Sequence, residues 1–117
     1  NIDIKINGSG EDKLDFTYID DLVNGITLCT TNKNAINQTF NLTYGKSKKI
    51  NELLEVLKSE FPKINVSYTD REKFMPERGT LNVDKARKKI GYEPKYSIET
   101  GYIKYISWYK DFWQKLK

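Results

Sequence analysis

Arg78 stands between Pro76 and Gly79 in a stretch, Asp70 to Thr80, that has neither a helical nor a strand period. A guanidinium set in a shaped, irregular backbone is suited to gripping an anion. Its planar fork can address two oxygens of a diphosphate at once, each charge-assisted bond contributing about 1.5–3 kcal/mol when sheltered from water. The competing reading is an ion pair with an acidic neighbour, Glu77 or Asp84, and the residues alone leave the two level.

Other chemistry is narrowed by what the chain lacks. There is no histidine, which removes imidazole acid–base catalysis, Ser-His-Asp chemistry and the commonest transition-metal ligand. Cys29 is the single cysteine, so no internal disulfide can form and a reducing, cytoplasmic setting is expected. Gly8-Ser9-Gly10 is too short for a dinucleotide fingerprint, which needs a third glycine opening a helix, and reads as a turn. No phosphate-cradling G-x-x-x-x-G-K-[ST], paired-cysteine zinc spacing or calcium loop occurs. No metal site and no cofactor-binding residue is therefore predicted.

The elements that would position Arg78 follow from periodicity. Ile2, Ile4 and Ile6 alternate with polar residues as a half-buried strand, and Leu14 to Ile19 is extended by its aromatic and β-branched content. Such a strand at the very first residues is what a fragment of a longer chain would show. Leu22, Val23, Ile26 and Cys29 predict a helix with Asp20 or Asp21 as N-cap. A loop over Thr31 to Asn37, a strand over Gln38 to Leu42 and a helix carrying Ile50, Leu53, Leu54 and Leu57 on one face come next, stopped by Pro62. A strand over Asn65 to Thr69 precedes the irregular stretch. Asp84 caps a short helix ending at Gly91 and Pro94, and Ser97 opens a last helix. On that last helix Ile98, Tyr102, Tyr105, Tyr109, Phe112 and Leu116, with Trp108 and Trp113 at the margins, read as a core-facing stripe.

The net charge is +4, from 20 basic and 16 acidic residues. That suits an anionic ligand without requiring nucleic acid. The Lys46, Lys48, Lys49 and Lys85, Arg87, Lys88, Lys89 clusters adjoin helices and read as solvated faces. No run is apolar enough to span a bilayer, and no membrane partner is expected.

The order of Gly8-Ser9-Gly10, Leu14 to Leu22, Phe40-Asn41-Leu42 with Gly45, Arg78-Gly79-Thr80-Leu81, Asp84-Lys85-Ala86, Gly91-Tyr92-Glu93-Pro94, Glu99-x-Gly101 and Trp108-Tyr109 resembles the C-terminal third of NAD-dependent epimerase/dehydratase proteins. These are the extended short-chain dehydrogenases acting on nucleoside-diphosphate sugars. The resemblance implies an α/β fold, α+β-like as a fragment, in which short mixed strands and three to four helices form one sugar-nucleotide-binding domain over residues 1–117. It further implies a parent in which an N-terminal Rossmann domain holds NAD(P) and a Tyr-x-x-x-Lys pair does proton and hydride chemistry. The one such interval here, Tyr44 to Lys48, lies in a basic loop, so no catalytic residue is assigned and the fragment is expected to bind no cofactor.

By the same resemblance Arg78 matches the family's diphosphate-contacting arginine. Asp15 follows the place of a second nucleotide-contacting arginine in many relatives, which here is Leu14, with Lys13 beside it to compensate. Thr80-Leu81 stands where many relatives read Gly-Asp, which marks a different subgroup. The implied function is the substrate-binding portion of a nucleoside-diphosphate-sugar epimerase or dehydratase whose parent is a homodimer. The alternatives are a non-catalytic nucleotide-binding module and a small basic nucleic-acid-binding domain.

Overall fold

A computed structural model describes residues 2–116, with the side chain of Ile2 outside the description. The expected strand face therefore rests on Ile4 and Ile6. Strand β1 (Ile2–Asn7) pairs in parallel with β4 (Ile64–Thr69), Ile4 opposite Val66 and Ile6 opposite Tyr68. The Gly8 N–H extends the ladder to the Thr69 carbonyl at 2.9 Å, at the start of the predicted glycine turn. A second, two-residue pairing is antiparallel, β2 (Lys13–Leu14) against β3 (Lys48–Lys49).

Helices carry most of the order: α1 (Ile19–Thr31), α2 (Ile50–Glu60), α3 (Asp84–Ile90) and α4 (Ile98–Lys115), with a 3₁₀ turn at Lys33–Ala35. This is the expected α/β mixture. Helix α2 starts where the Glu52 carboxylate accepts from the Lys49 N–H at 2.9 Å, which satisfies a donor that would otherwise lack a partner. Helix α3 ends as predicted at Gly91, whose φ of 70° lies in the left-handed region that a side chain disfavours. Ser97 caps α4 through the Thr100 N–H at 3.4 Å.

Four expectations change in detail. The extended stretch 14–19 pairs only at its start, and Ile19 already belongs to α1, capped by Tyr18 rather than by an aspartate. Asp21 sits in the first turn with 3% exposure, and its carboxylate accepts from the Lys95 and Tyr96 N–H groups, each at 2.9 Å. Gln38 to Leu42 forms no strand, because no neighbouring segment offers it a ladder among the described residues; Phe40 and Leu42 anchor it through the core instead. Asp84 is the first residue of α3, with Val83 at the cap.

The main core gathers Ala86, Ile90 and Tyr92, with Leu28, Cys29, Ala35, Phe40 and Leu42 packed around them. Gly25 lets α1 approach this core: a Cβ there would lie 2.9 Å from the Tyr92 ring and 3.0 Å from Leu42. Leu54, Ile98 and Ile106 are buried where α2 packs on α4.

The aromatic stripe of α4 departs from expectation most. Its first turns are buried through Ile98, Gly101 and Ile106, yet Tyr105, Trp108, Tyr109, Phe112, Trp113 and Leu116 are exposed. They contact one another instead, with Trp108 and Phe112 ring centroids 5.4 Å apart. The helix packs against Tyr18, Tyr96 and α2 as far as Ile106, the Lys110 ammonium still reaches Glu60 at 2.8 Å, and the last turns run beyond what the short neighbours cover.

The Tyr92 hydroxyl is buried without a protein partner among the described residues. Burial, then the charges of Asp21 and Asp15, push its pKa up to about 12. Tyr92→Phe removes this orphaned group while keeping the ring, so a gain of about 1 kcal/mol in unfolding free energy is expected, read by urea titration.

Candidate functional site

The irregular stretch 70–80 is a strap fastened at both ends. At its start the Arg71 guanidinium meets the Asp12 carboxylate at 3.3 Å, and the Glu72 N–H donates to the Asn7 side chain at 3.2 Å. At its end Thr80 donates to the Ser47 hydroxyl at 2.7 Å while accepting from the Ser47 N–H at 2.9 Å. The Leu81 N–H donates to Asp15 at 3.0 Å. Between these fastenings lies Phe74, 98% exposed.

Under the strap is an open cavity of about 220 Å³, bounded by the end of β1, β2, the start of α2 and the strap itself. Lys5, Lys13 and Arg78 supply its cations, and Ile6, Leu14, Ile50, Met75 and Pro76 its apolar walls. Three positive groups face one carboxylate, that of Asp12, which Arg71 engages. The cavity therefore favours a compact anion with an apolar flank.

Arg78 and Lys13, singled out from sequence, are thus brought together. Among the described residues no carboxylate lies within salt-bridge distance of Arg78. Asp84, one of the acidic partners the sequence offered, sits 3.7 Å from Arg87 instead. Asp15 is not on the cavity wall. Its carboxylate accepts from the Thr43 hydroxyl at 2.9 Å, the Gly45 N–H at 3.1 Å and the Leu81 N–H at 3.0 Å, binding the chain after β2 to two distant loops. It fixes the backbone three residues beyond Arg78. Lys5 also lines this cavity; the sequence reading did not single it out, although its place on the polar side of the alternating β1 pattern was readable.

Several members of the two basic clusters are engaged elsewhere. Lys48 lies between Glu52 at 3.0 Å and Glu99 at 2.9 Å, and Lys49 meets Glu11 at 2.6 Å. The Ser97 hydroxyl, followed by Lys48, holds the Glu99 carboxyl at a pKa of about 2. The hydrogen bond from the Lys49 ammonium lowers the pKa of the Glu11 carboxyl. Lys85 lies over the Phe40 ring at 5.3 Å. Among the described residues, no cluster of three or more His, Cys, Asp or Glu is arranged for a metal, and no helix is long and apolar enough to cross a membrane.

In sequence and in fold the chain matches the C-terminal region of the extended short-chain dehydrogenases that act as nucleotide-sugar epimerases and dehydratases. It is 34% identical over 110 residues to a UDP-glucuronate 4-epimerase of Thermodesulfobacterium geofontis, covering 92% of this chain and 33% of that one. The solved epimerase of Methanothermobacter thermautotrophicus superposes with a TM-score of 0.88 at 27% identity, over 97% of this chain and 34% of the other. The UDP-glucuronic acid 4-epimerase of Bacillus cereus, solved with UDP-glucuronic acid and NAD, superposes with a TM-score of 0.75 at 25% identity, over 83% of this chain and 32% of its own. The chain thus spans about a third of the length of the relatives it matches. No family model matches it.

Proposed function

We propose that residues 1–117 form the substrate-binding domain of a nucleoside-diphosphate-sugar epimerase or dehydratase whose NAD is held by a separate dinucleotide-binding domain of the same protein. The observation that carries this reading is the cavity under the strap, where Arg78, Lys13 and Lys5 converge beside apolar walls. Arg78 holds the diphosphate through its planar fork, and Lys13 adds a point charge. Asp15 is a positioning residue: by holding Leu81 and the Thr43–Gly45 loop it fixes the frame from which Arg78 reaches the ligand. The names of the relatives favour a uridine nucleotide and a glucuronic acid-type sugar.

The chain offers no glycine-rich fingerprint for a dinucleotide, and Lys48 is engaged by two glutamates. Bound in its own domain, NAD supplies the hydride chemistry at the sugar. This chain binds and orients the nucleotide end. On this reading the whole protein is a cytoplasmic homodimer, the single free Cys29 being in keeping with the compartment.

Calorimetric titration of the full-length protein, saturated with NAD, with UDP-glucuronic acid tests the proposal. Saturable binding that weakens as salt is raised is expected, because the contacts are to phosphate. Absence of binding would overturn it.

A further inference from the structure

Two of the three cations in the cavity under the strap already have a counterpart in the proposed ligand. A nucleoside-diphosphate sugar carries one ionised oxygen on each phosphorus, and Arg78 and Lys13 match them in charge. The one carboxylate on the wall, that of Asp12, is held by Arg71, whose Nε lies 3.3 Å from each carboxylate oxygen. Lys5 is left over. It reaches the cavity from β1, whereas Lys13 comes from β2 and Arg78 from the strap. None of the ion pairs among the described residues uses it.

The walls decide which end of the ligand Lys5 meets. Ile6, Leu14, Ile50, Met75 and Pro76 are apolar. A sugar ring turned against them would lose the hydrogen bonds its hydroxyls make to water, a cost that none of these side chains offsets. A nucleobase has apolar faces and keeps its polar atoms at the ring edge, so it fits between apolar walls with a few hydrogen-bonding groups at the rim. At about 220 Å³ the cavity is below the roughly 300–1,000 Å³ that encloses a whole drug-sized ligand, so it takes one end of the nucleotide.

The rim groups are donors. Asn7, two residues beyond Lys5 on β1, lines the cavity, and its side-chain oxygen accepts from the Glu72 N–H at 3.2 Å. Its NH₂ group is the end left for a ligand. The Lys5 ammonium has only donors. Both groups match the carbonyl oxygen at the edge of uracil, thymine or guanine, and neither can accept from the amino group that cytosine or adenine carries in its place. The Asn7–Glu72 bond also starts the span that carries Met75 and Pro76, so the residue at the rim seats part of the wall as well.

We infer that Lys5, with Asn7 beside it, is a specificity-determining residue: it selects a nucleotide whose base presents a carbonyl oxygen rather than an amino group to the rim of this cavity. The inference rests on the proposed function for the diphosphate held by Arg78 and Lys13. Those two cations supply affinity common to every nucleoside diphosphate, and Lys5 separates one base from another.

UDP and CDP test this, because they share the diphosphate and the ribose and differ only along the edge of the pyrimidine. Each is titrated calorimetrically into the full-length protein saturated with NAD. UDP is expected to bind about tenfold more tightly than CDP, the cost of setting an amino group against donors at an open rim. Lys5→Met keeps the length of the side chain without the ammonium and should narrow that ratio to under about threefold, chiefly by weakening UDP. Lys5 is exposed on β1, and the comparison in the unaltered protein needs no substitution. Equal affinities there would overturn the inference, and so would a Lys5→Met variant that weakens UDP and CDP alike, since Lys5 would then serve the phosphates. Binding of neither nucleotide would defeat the diphosphate reading beneath it, whereas equal binding of both defeats the base selection alone.

Discussion

Asp21→Ala is expected to lower the unfolding free energy by about 3 kcal/mol, seen as a lower urea midpoint at unchanged slope. The carboxylate is 3% exposed and is the acceptor for two backbone N–H groups, of Lys95 and Tyr96. Removing it leaves both donors without their acceptor, and each charge-assisted bond is worth about 1.5–3 kcal/mol. The damage also spreads. Those two residues lead directly into Ser97, the cap of α4, and Tyr96 packs on Tyr18 with ring centroids 4.7 Å apart. Asp21→Asn keeps one acceptor oxygen and is expected to lose about half as much, because its amide group can satisfy only one of the two donors. A loss below about 1 kcal/mol for the alanine variant would show that water replaces the carboxylate.

Arg78→Ala carries the largest functional effect. In the full-length protein it is expected to weaken UDP-glucuronic acid binding by about 2 kcal/mol, near 30-fold, by calorimetry. Because Arg78 is exposed on the strap and has no carboxylate partner among the described residues, its removal leaves no buried charge behind, and folding stability should be unchanged. Arg78→Lys keeps the charge but not the fork, so it should recover only part of the affinity. Unchanged affinity in Arg78→Ala would remove its diphosphate role.

The parts of the fold legible in sequence were those set by local rules. Gly91 ends α3 and Ser97 opens α4 because caps depend on a few adjacent atoms. The α2 face and the β1 alternation were likewise readable, as patterns imposed by a single buried side. What escaped depended on partners distant in sequence. The apolar content of Gln38 to Leu42 suits a strand equally well as a core-anchored loop, and only the absence of a neighbouring ladder decides. The aspartates at the start of α1 had the composition of caps, yet Asp21 is claimed by residues 74 and 75 positions away. The α4 stripe obeyed helical periodicity throughout, but periodicity identifies an apolar face without saying how far along it a neighbour reaches.

The site divides in the same way. Arg78 and Lys13 were identified by residue type and resemblance, and the strap brings them to one cavity with Lys5. That Asp15 ties together two distant loops is information carried by Thr43, Gly45 and Leu81, none of which signals it alone.

Trp108 and Trp113 are the chain's two tryptophans, and they stand 56% and 47% exposed on the outer half of α4, apart from the core around Tyr92. The intrinsic fluorescence of the chain is therefore an optical gauge of one helix surface. Its wavelength follows whatever covers or uncovers α4, while the dissolution of the main core passes largely unseen by either indole.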